Sequence, residues 1–350
     1  MKLYLHIGTE KTGSSYLQTL AAMNRDILLK NGVWFPTAGK RERQLLAGEI
    51  SAGNAQPLAD ALNKKQGQLV NALVKEWKKE AEERACKACL LSNELLLLAV
   101  SKPSTLRFLV DLIRQEFQST SVLLMLRDPV DQALSLFKHR AKSGTAPDIE
   151  QWPQTSYYYG EALKSFFSSM EETEIQLNCR KYGKQGGYLE KIFFKDWLGI
   201  ENKLEKPDKR VNPSLSISEL LLIKQLRQKS QWLPYFLYAK LQTIPACEKA
   251  KETRLTEYYK AILSKHLAQY HEVWNQCNQY LPDGEKLKPP EQNTEKFSKE
   301  DKEMTFSEMQ GRVLTEFIRD ATQPTFKIRL QIRKWRSQLG KLKTQLINKN

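Results

Sequence analysis

The constraint that most narrows the fold lies in residues 3–18, LYLHIGTEKTGSSYLQ. Leu3-Tyr4-Leu5-His6-Ile7 is an apolar run of strand length. Gly8-Thr9-Glu10-Lys11-Thr12-Gly13 is a short loop bounded by glycines. The spacing of Leu17, Leu20, Ala21, Ile27 and Leu28 predicts a helix that begins at Ser14-Ser15. A strand, a glycine-bounded loop and a helix start together make a cradle for an anion. The first N–H groups of the helix and its dipole point into the loop, and the glycines let the backbone approach the ligand closely. Lys11 adds a mobile positive charge, and Ser14 and Ser15 add hydroxyl donors. The expected ligand is a phosphate ester.

A second segment, SVLLMLRDPVDQALSLFKHR over Ser121–Arg140, has the same grammar. Val122–Leu126 reads as a strand. Asp128-Pro129 then opens a helix, with aspartate at a cap position and proline in the first turn. Val130, Ala133, Leu134 and Phe137 give that helix a buried side. Arg127 stands at the carboxyl end of the strand, and Ser135 follows two helical turns later. A guanidinium suits a phosphate because its fork donates two parallel hydrogen bonds. Taken alone, Arg127 reads better as a surface ion-pair partner and Ser135 as an ordinary helix hydroxyl; coupled to the first loop, in this order and about a hundred residues apart, they read as phosphate ligands. A third segment, Arg210–Ser216 (RVNPSLS), reads as a loop ending in a helix cap at Ser216 or Ser218.

The nucleotide-binding loop G-x-x-x-x-G-K-[ST] carries its lysine directly after the second glycine. Here Gly8 and Gly13 keep that spacing, but Ser14 occupies the lysine position and Lys11 lies inside the loop. This arrangement resembles that of sulfotransferases using 3′-phosphoadenosine 5′-phosphosulfate (PAPS). HIGTEKTGSSYLQ is similar to their 5′-phosphosulfate loop, above all in bacterial carbohydrate-type members and the related Golgi heparan sulfotransferases. Arg127 and Ser135 have the separation of that family's 3′-phosphate-binding pair. Arg210 falls where such sequences often carry an Arg-x-Asn-x-Ser-Leu-Ser stretch. The resemblance covers about the first two-thirds of the chain.

The resemblance implies a site with the cofactor-binding residues Gly8, Thr9, Lys11, Thr12, Gly13, Ser14, Ser15, Arg127, Ser135 and Arg210. It implies Lys11 as stabiliser of the leaving group and Glu94, in Leu91-Ser92-Asn93-Glu94-Leu95, as general base. His139 is the reserve base, since cytosolic small-molecule members use histidine. His6, inside the first strand, reads as a core histidine satisfied by its neighbours. PAPS would be the co-substrate, without a metal. The acceptor would be a hydroxyl of a carbohydrate or glycolipid. Trp152 and Tyr157-Tyr158-Tyr159 read equally as sugar-stacking rings or as core. Two other readings are a kinase with an atypical phosphate loop, which the displaced lysine disfavours, and an inactive sulfotransferase-like binding protein.

Strand-like and helix-like patterns alternate over the first 200 residues. Helices are expected over Pro57–Arg84, Ser104–Phe117 and Tyr188–Leu198, and strands at Gly32–Pro36, Ala88–Ser92 and Glu174–Cys179. Alternation of this kind predicts an α/β fold, a P-loop-like three-layer sandwich with a central parallel sheet. Ligands in such sheets bind beyond the carboxyl ends of the strands. The expected division is a PAPS-binding core over 1–212, a helical completion over 213–282, a polar linker over 283–324 and a basic amphipathic helix over 325–350. The main helices beyond Asn212 are expected at Ser216–Lys229 and Glu252–Tyr280, the latter with room for a break.

Hydrophobic residues make up 41% and charged residues 27% of the 350, a balance that supports a folded core. No apolar stretch approaches the ~20 residues of a membrane span. The apolar start runs directly into the loop, so it reads as a core strand and a cytoplasmic, bacterial protein is expected. The five cysteines are odd in number and scattered, and Cys86-x-x-Cys89 lacks a second pair, so structural thiols are expected. The histidines lack metal-site spacing.

The net charge of +15 favours an anionic partner. Eight lysines and arginines and no acid lie between Ala321 and Asn350. There Ile328, Ile332, Trp335, Leu339, Leu342 and Leu346 form a heptad seam. That helix would dock on the body, self-associate or lie on an anionic membrane surface, at the inner face. Nucleic acid is disfavoured, because no recognition motif accompanies the charge.

Overall fold

The computed structural model describes residues 1–39, 42–47, 53–157, 159–171, 173, 175–183, 185–207, 215–290 and 296–326. Arg210 and the basic segment 327–350 lie outside them. The chain divides into two compact units. The first comprises residues 1–136, 149–212 and 260–295, and the second 137–148, 213–259 and 296–350. The change of pattern near Asn212 coincides with a unit boundary, whereas residues 260–295 belong with the first unit.

The first unit is α/β. Its five strands are β1 (Lys2–His6), β2 (Val33–Trp34), β3 (Ala88–Ser92), β4 (Ser119–Leu126) and β5 (Gln176–Lys181). They form one sheet in the order β2-β3-β1-β4-β5, and every neighbouring pair is parallel. His6 is level with Ser92 of β3 and Leu123 of β4. Side chains alternate between faces along a strand, yet all of β3 and the last six residues of β4 are buried. Both faces are therefore covered by helices, which is why these strands read as continuous apolar runs. On one face Leu90, Leu123 and Met125 pack with Leu17, Leu20, Phe193 and Phe194.

Several predicted elements are cut shorter than their periodicity implies. The first helix, α1 (Ser14–Met23), stops at Met23, and a second runs from Arg25 to Lys30. Asn24 breaks the run because its amide donates to the carbonyls of Leu20 and Glu205 and accepts from the Glu205 N–H. The Pro57–Arg84 helix is two helices, Gln56–Asn63 and Gly67–Glu83, separated by Lys65 at φ 56°. Tyr188–Leu198 begins as one α turn and continues as π-helix over Lys191–Trp197. The Glu252–Tyr280 run breaks at 268–270 between helices Thr253–Leu267 and His271–Tyr280. The strand expected from Glu174 begins at Gln176.

The start of the expected linker is docked rather than free. Glu285 accepts from Arg180 at 2.7 and 3.0 Å and from the Lys181 N–H at 2.9 Å, and Leu287 is buried. Arg180 holds the Glu285 carboxyl below its ordinary range against the opposing effect of burial.

The second unit is helical within its described residues. Ser216, one of the two expected caps, closes a capping box with Glu219 on the helix Ile217–Lys229. The buried Glu219 carboxylate also binds Lys249 at 2.8 Å and Gln310 at 2.8 Å. A buried carboxylate needs this set of partners to offset its lost hydration.

Leu123 is fully buried beside β1. Leu123→Ala is expected to cost about 2–5 kcal/mol in denaturant unfolding. An unchanged midpoint would show that this side of the sheet does not carry the core.

Candidate functional site

The loop between β1 and α1 is held almost peptide by peptide. The Met125 N–H donates to the Gly8 carbonyl at 2.7 Å, and the Thr9 N–H donates back to Met125 O at 2.7 Å. The Thr9 hydroxyl donates to that same oxygen at 3.1 Å. The Thr12 hydroxyl donates to the Thr9 carbonyl. Gln132 Nε2 donates to the Glu10 carbonyl at 3.3 Å, and Arg127 Nη1 donates to the Lys11 carbonyl at 3.2 Å. Four consecutive carbonyls, Gly8 to Lys11, are thus each occupied by a donor, three from the scaffold and one, for Thr9, from within the loop.

The N–H side is built differently. Helix α1 (Ser14–Met23) starts from Gly13 in the left-handed region at φ 85°, with no side-chain cap and no acidic residue in its first turn. Its first N–H groups have no acceptor within the helix. The Ser14 hydroxyl is buried and has no hydrogen-bond partner among the described residues. Ser15 is half-buried. An array of N–H donors, an unpartnered hydroxyl and a helix N-terminus favours an anion.

Two further predicted residues meet this loop. Glu94 lies in the turn after β3, which is anchored by the Asn93 N–H to His6 O at 2.9 Å and shaped by Asn93 Oδ1 accepting from the Leu95 N–H at 2.7 Å. A Cβ at Gly8, φ 118°, would stand 2.6 Å from the Glu94 carbonyl oxygen, so only glycine admits this approach. Arg127 reaches the loop through Lys11 O. Its guanidinium also lies 5.2 Å from the centre of the Tyr182 ring. That ring would meet a Cβ placed on Gly13 at 3.4 Å. Tyr182 therefore borders both groups, and no local sequence signal marked it.

The remaining predicted residues have other fates. Ser135 lies on the helix Pro129–Arg140, near the limit of the first unit. His139 belongs to the second unit. Arg210 lies outside the described residues. The Asp128 carboxylate, expected at the helix cap, binds Lys181 at 2.9 Å and the Lys288 N–H at 2.7 Å. Trp152, Tyr157 and Tyr159 are buried, so these rings are core and not a stacking platform. Glu10, Gln132, Tyr157 and Tyr159 form a buried polar chain behind the loop, which the spacing of these residues did not reveal.

A second polar layer lies below the strand ends. His6 Nδ1 is 2.8 Å from Ser92 Oγ, which also accepts from Gln18 Nε2 at 3.1 Å. Asn54 accepts from the Ser92 N–H and donates to the carbonyls of Leu90 and Pro36. His6 is in the core as expected, but only half satisfied: Nε2 has no partner among the described residues. Burial pushes its pKa down to about 4.

No protein-family model matches the chain, and comparison with curated proteins and with solved structures gives no match.

The His6 shift has a definite sign. Below its ordinary value of 6.5 the unfolded state takes a proton that the folded state refuses until about pH 4. The stability contribution of neutral His6 is complete above pH 6.5 and falls between pH 6.5 and 4. Wild type is expected to lose about 2 kcal/mol more than His6→Asn between pH 8 and pH 5 in denaturant titrations. Parallel pH profiles for the two proteins would contradict the burial of a neutral imidazole.

Proposed function

We propose that the protein transfers a sulfuryl group from PAPS to a hydroxyl of a carbohydrate or glycolipid acceptor. The observation that carries this reading is the bond from Arg127 to the Lys11 carbonyl. It brings the guanidinium of one predicted phosphate-binding segment against the loop of the other. The buried Ser14 hydroxyl, without a partner among the described residues and at an uncapped helix start, supports the fit of a phosphate there. So does the absence of an acidic residue from the first turn of α1.

PAPS is the donor substrate, and it would supply the sulfuryl group together with a phosphate leaving group. In the transfer, a bond forms from the acceptor oxygen to sulfur while the bond from sulfur to the bridging oxygen breaks. The electron pair leaves on the 5′-phosphate, and the hydroxyl proton goes to a base.

The α1 amides, with the hydroxyls of Ser14 and Ser15, hold the 5′-phosphate. The Lys11 ammonium offsets the charge that grows on the leaving oxygen. Arg127 and Ser135 take the 3′-phosphate. Glu94, whose turn packs on Gly8, accepts the acceptor proton. Glu94 sits two residues before the helix Leu96–Val100, where its charge also suits the helix dipole. The catalytic role adds a proton acceptor next to the donor loop.

Adenosine 3′,5′-bisphosphate is expected to raise the thermal midpoint, and adenosine 5′-monophosphate far less. At a hundredfold excess over Kd the stabilisation is about 2.7 kcal/mol. Equal shifts with both nucleotides would count against a 3′-phosphate seat at Arg127. Lys11→Ala is expected to lose roughly 100-fold or more in transfer from labelled PAPS to a glycan or lipid extract, with its far-ultraviolet spectrum unchanged. Undiminished transfer would remove Lys11 from the mechanism.

A further inference from the structure

Lys11 is a non-glycine residue at φ 67°. A side chain in the left-handed region is strained, and it stays there only when its surroundings hold it. Lys11 is bound on its own carbonyl by Arg127. The preceding residue is gripped more completely. The Tyr159 hydroxyl donates to Glu10 Oε2 at 2.8 Å, and the Glu10 N–H points back at that hydroxyl at 3.4 Å. Gln132 donates to the Glu10 carbonyl, and the Tyr157 hydroxyl donates to Gln132 Oε1 at 3.0 Å. The amide, carbonyl and carboxylate of Glu10 are thus all engaged, by side chains 122 and 149 residues away. All four residues of this chain are buried, Tyr159 fully so.

We infer that Glu10, clamped by Tyr159 and Gln132, is a positioning residue that fixes Lys11 and the α1 amides for the 5′-phosphate. This rests on the donor-binding reading above. The clamp touches no donor atom. It acts by holding the backbone on the N-terminal side of Lys11, so that the left-handed turn is already formed when the anion arrives. Without it the strained turn relaxes, and binding must first rebuild the turn. That is a loss of preorganisation, and it falls chiefly on the 5′-phosphate. The 3′-phosphate, assigned to Arg127 and Ser135, feels it only through the single bond from Arg127 to the Lys11 carbonyl.

Two nucleotides separate these effects in calorimetric titrations of the full chain. Adenosine 3′,5′-bisphosphate carries both phosphates, and adenosine 3′-monophosphate lacks the one the loop would hold. Tyr159→Phe removes only the hydroxyl. It is expected to weaken the bisphosphate about tenfold and to leave the 3′-monophosphate within about twofold of wild type. Glu10→Ala should reproduce this pattern. Glu10→Gln keeps an oxygen that accepts from Tyr159, and should recover most of the lost affinity.

A uniform loss for both nucleotides, or no loss for either, would overturn the positioning role. So would a Glu10→Gln protein as impaired as Glu10→Ala. If Tyr159→Phe does not fold, the Glu10 pair decides by the same criteria. If wild type binds the two nucleotides equally or binds neither, the donor-binding reading fails first, and the clamp loses its purpose with it.

Discussion

The site depends on where the carbonyls of one loop point. Peptide oxygens facing an anion would repel it, and buried ones without donors are costly. From Gly8 to Lys11 each carbonyl accepts a hydrogen bond, from Met125, Gln132 and Arg127 of the scaffold and from Thr12 within the loop. What remains facing outward is the start of α1, with Gly13 turned left-handed and no capping side chain. The sheet order makes this possible. β1 lies between β3 and β4, so the loop after β1 emerges between the Glu94 turn and Arg127. Ligands of parallel sheets gather at such strand ends.

The polar groups behind the loop come in two layers. One is the Glu10 clamp. The other is the His6–Ser92–Gln18–Asn54 set, in which His6 Nε2 and Gln18 Oε1 find no partner among the described residues. An apolar filling would be cheaper there. The His6–Ser92 bond joins β1 to β3 at the last residue of each strand. It therefore ties together the two strands that lead into the Gly8 loop and the Glu94 turn.

Much of this was legible in the sequence. The apolar runs at Leu3, Ala88 and Val122 became adjacent parallel strands because both faces of the sheet are covered, so no alternation was needed to mark them. The loop was legible from its two glycines, whose positive φ the structure uses. Helix ends were less so. Asn24 and Lys65 interrupt periodic runs, and neither is a strong breaker: Asn24 acts through a partner at Glu205, and Lys65 adopts a conformation that glycine usually takes. The polar stretch from Asp283 looked like linker, but Glu285 finds Arg180 across 105 residues. The Glu10 clamp was hidden for the same reason, since its partners come from distant helices and leave no local pattern. The aromatic residues Trp152, Tyr157 and Tyr159 admitted two readings, and only burial decided between them.

The most direct measurement is of the α1 amides themselves. In an amide nitrogen–proton NMR titration with adenosine 3′,5′-bisphosphate, the resonances of Gly13, Ser14, Ser15 and Tyr16 should shift saturably, with the same affinity that calorimetry reports. Saturable binding that leaves these four resonances in place would put the phosphate elsewhere and contradict the account.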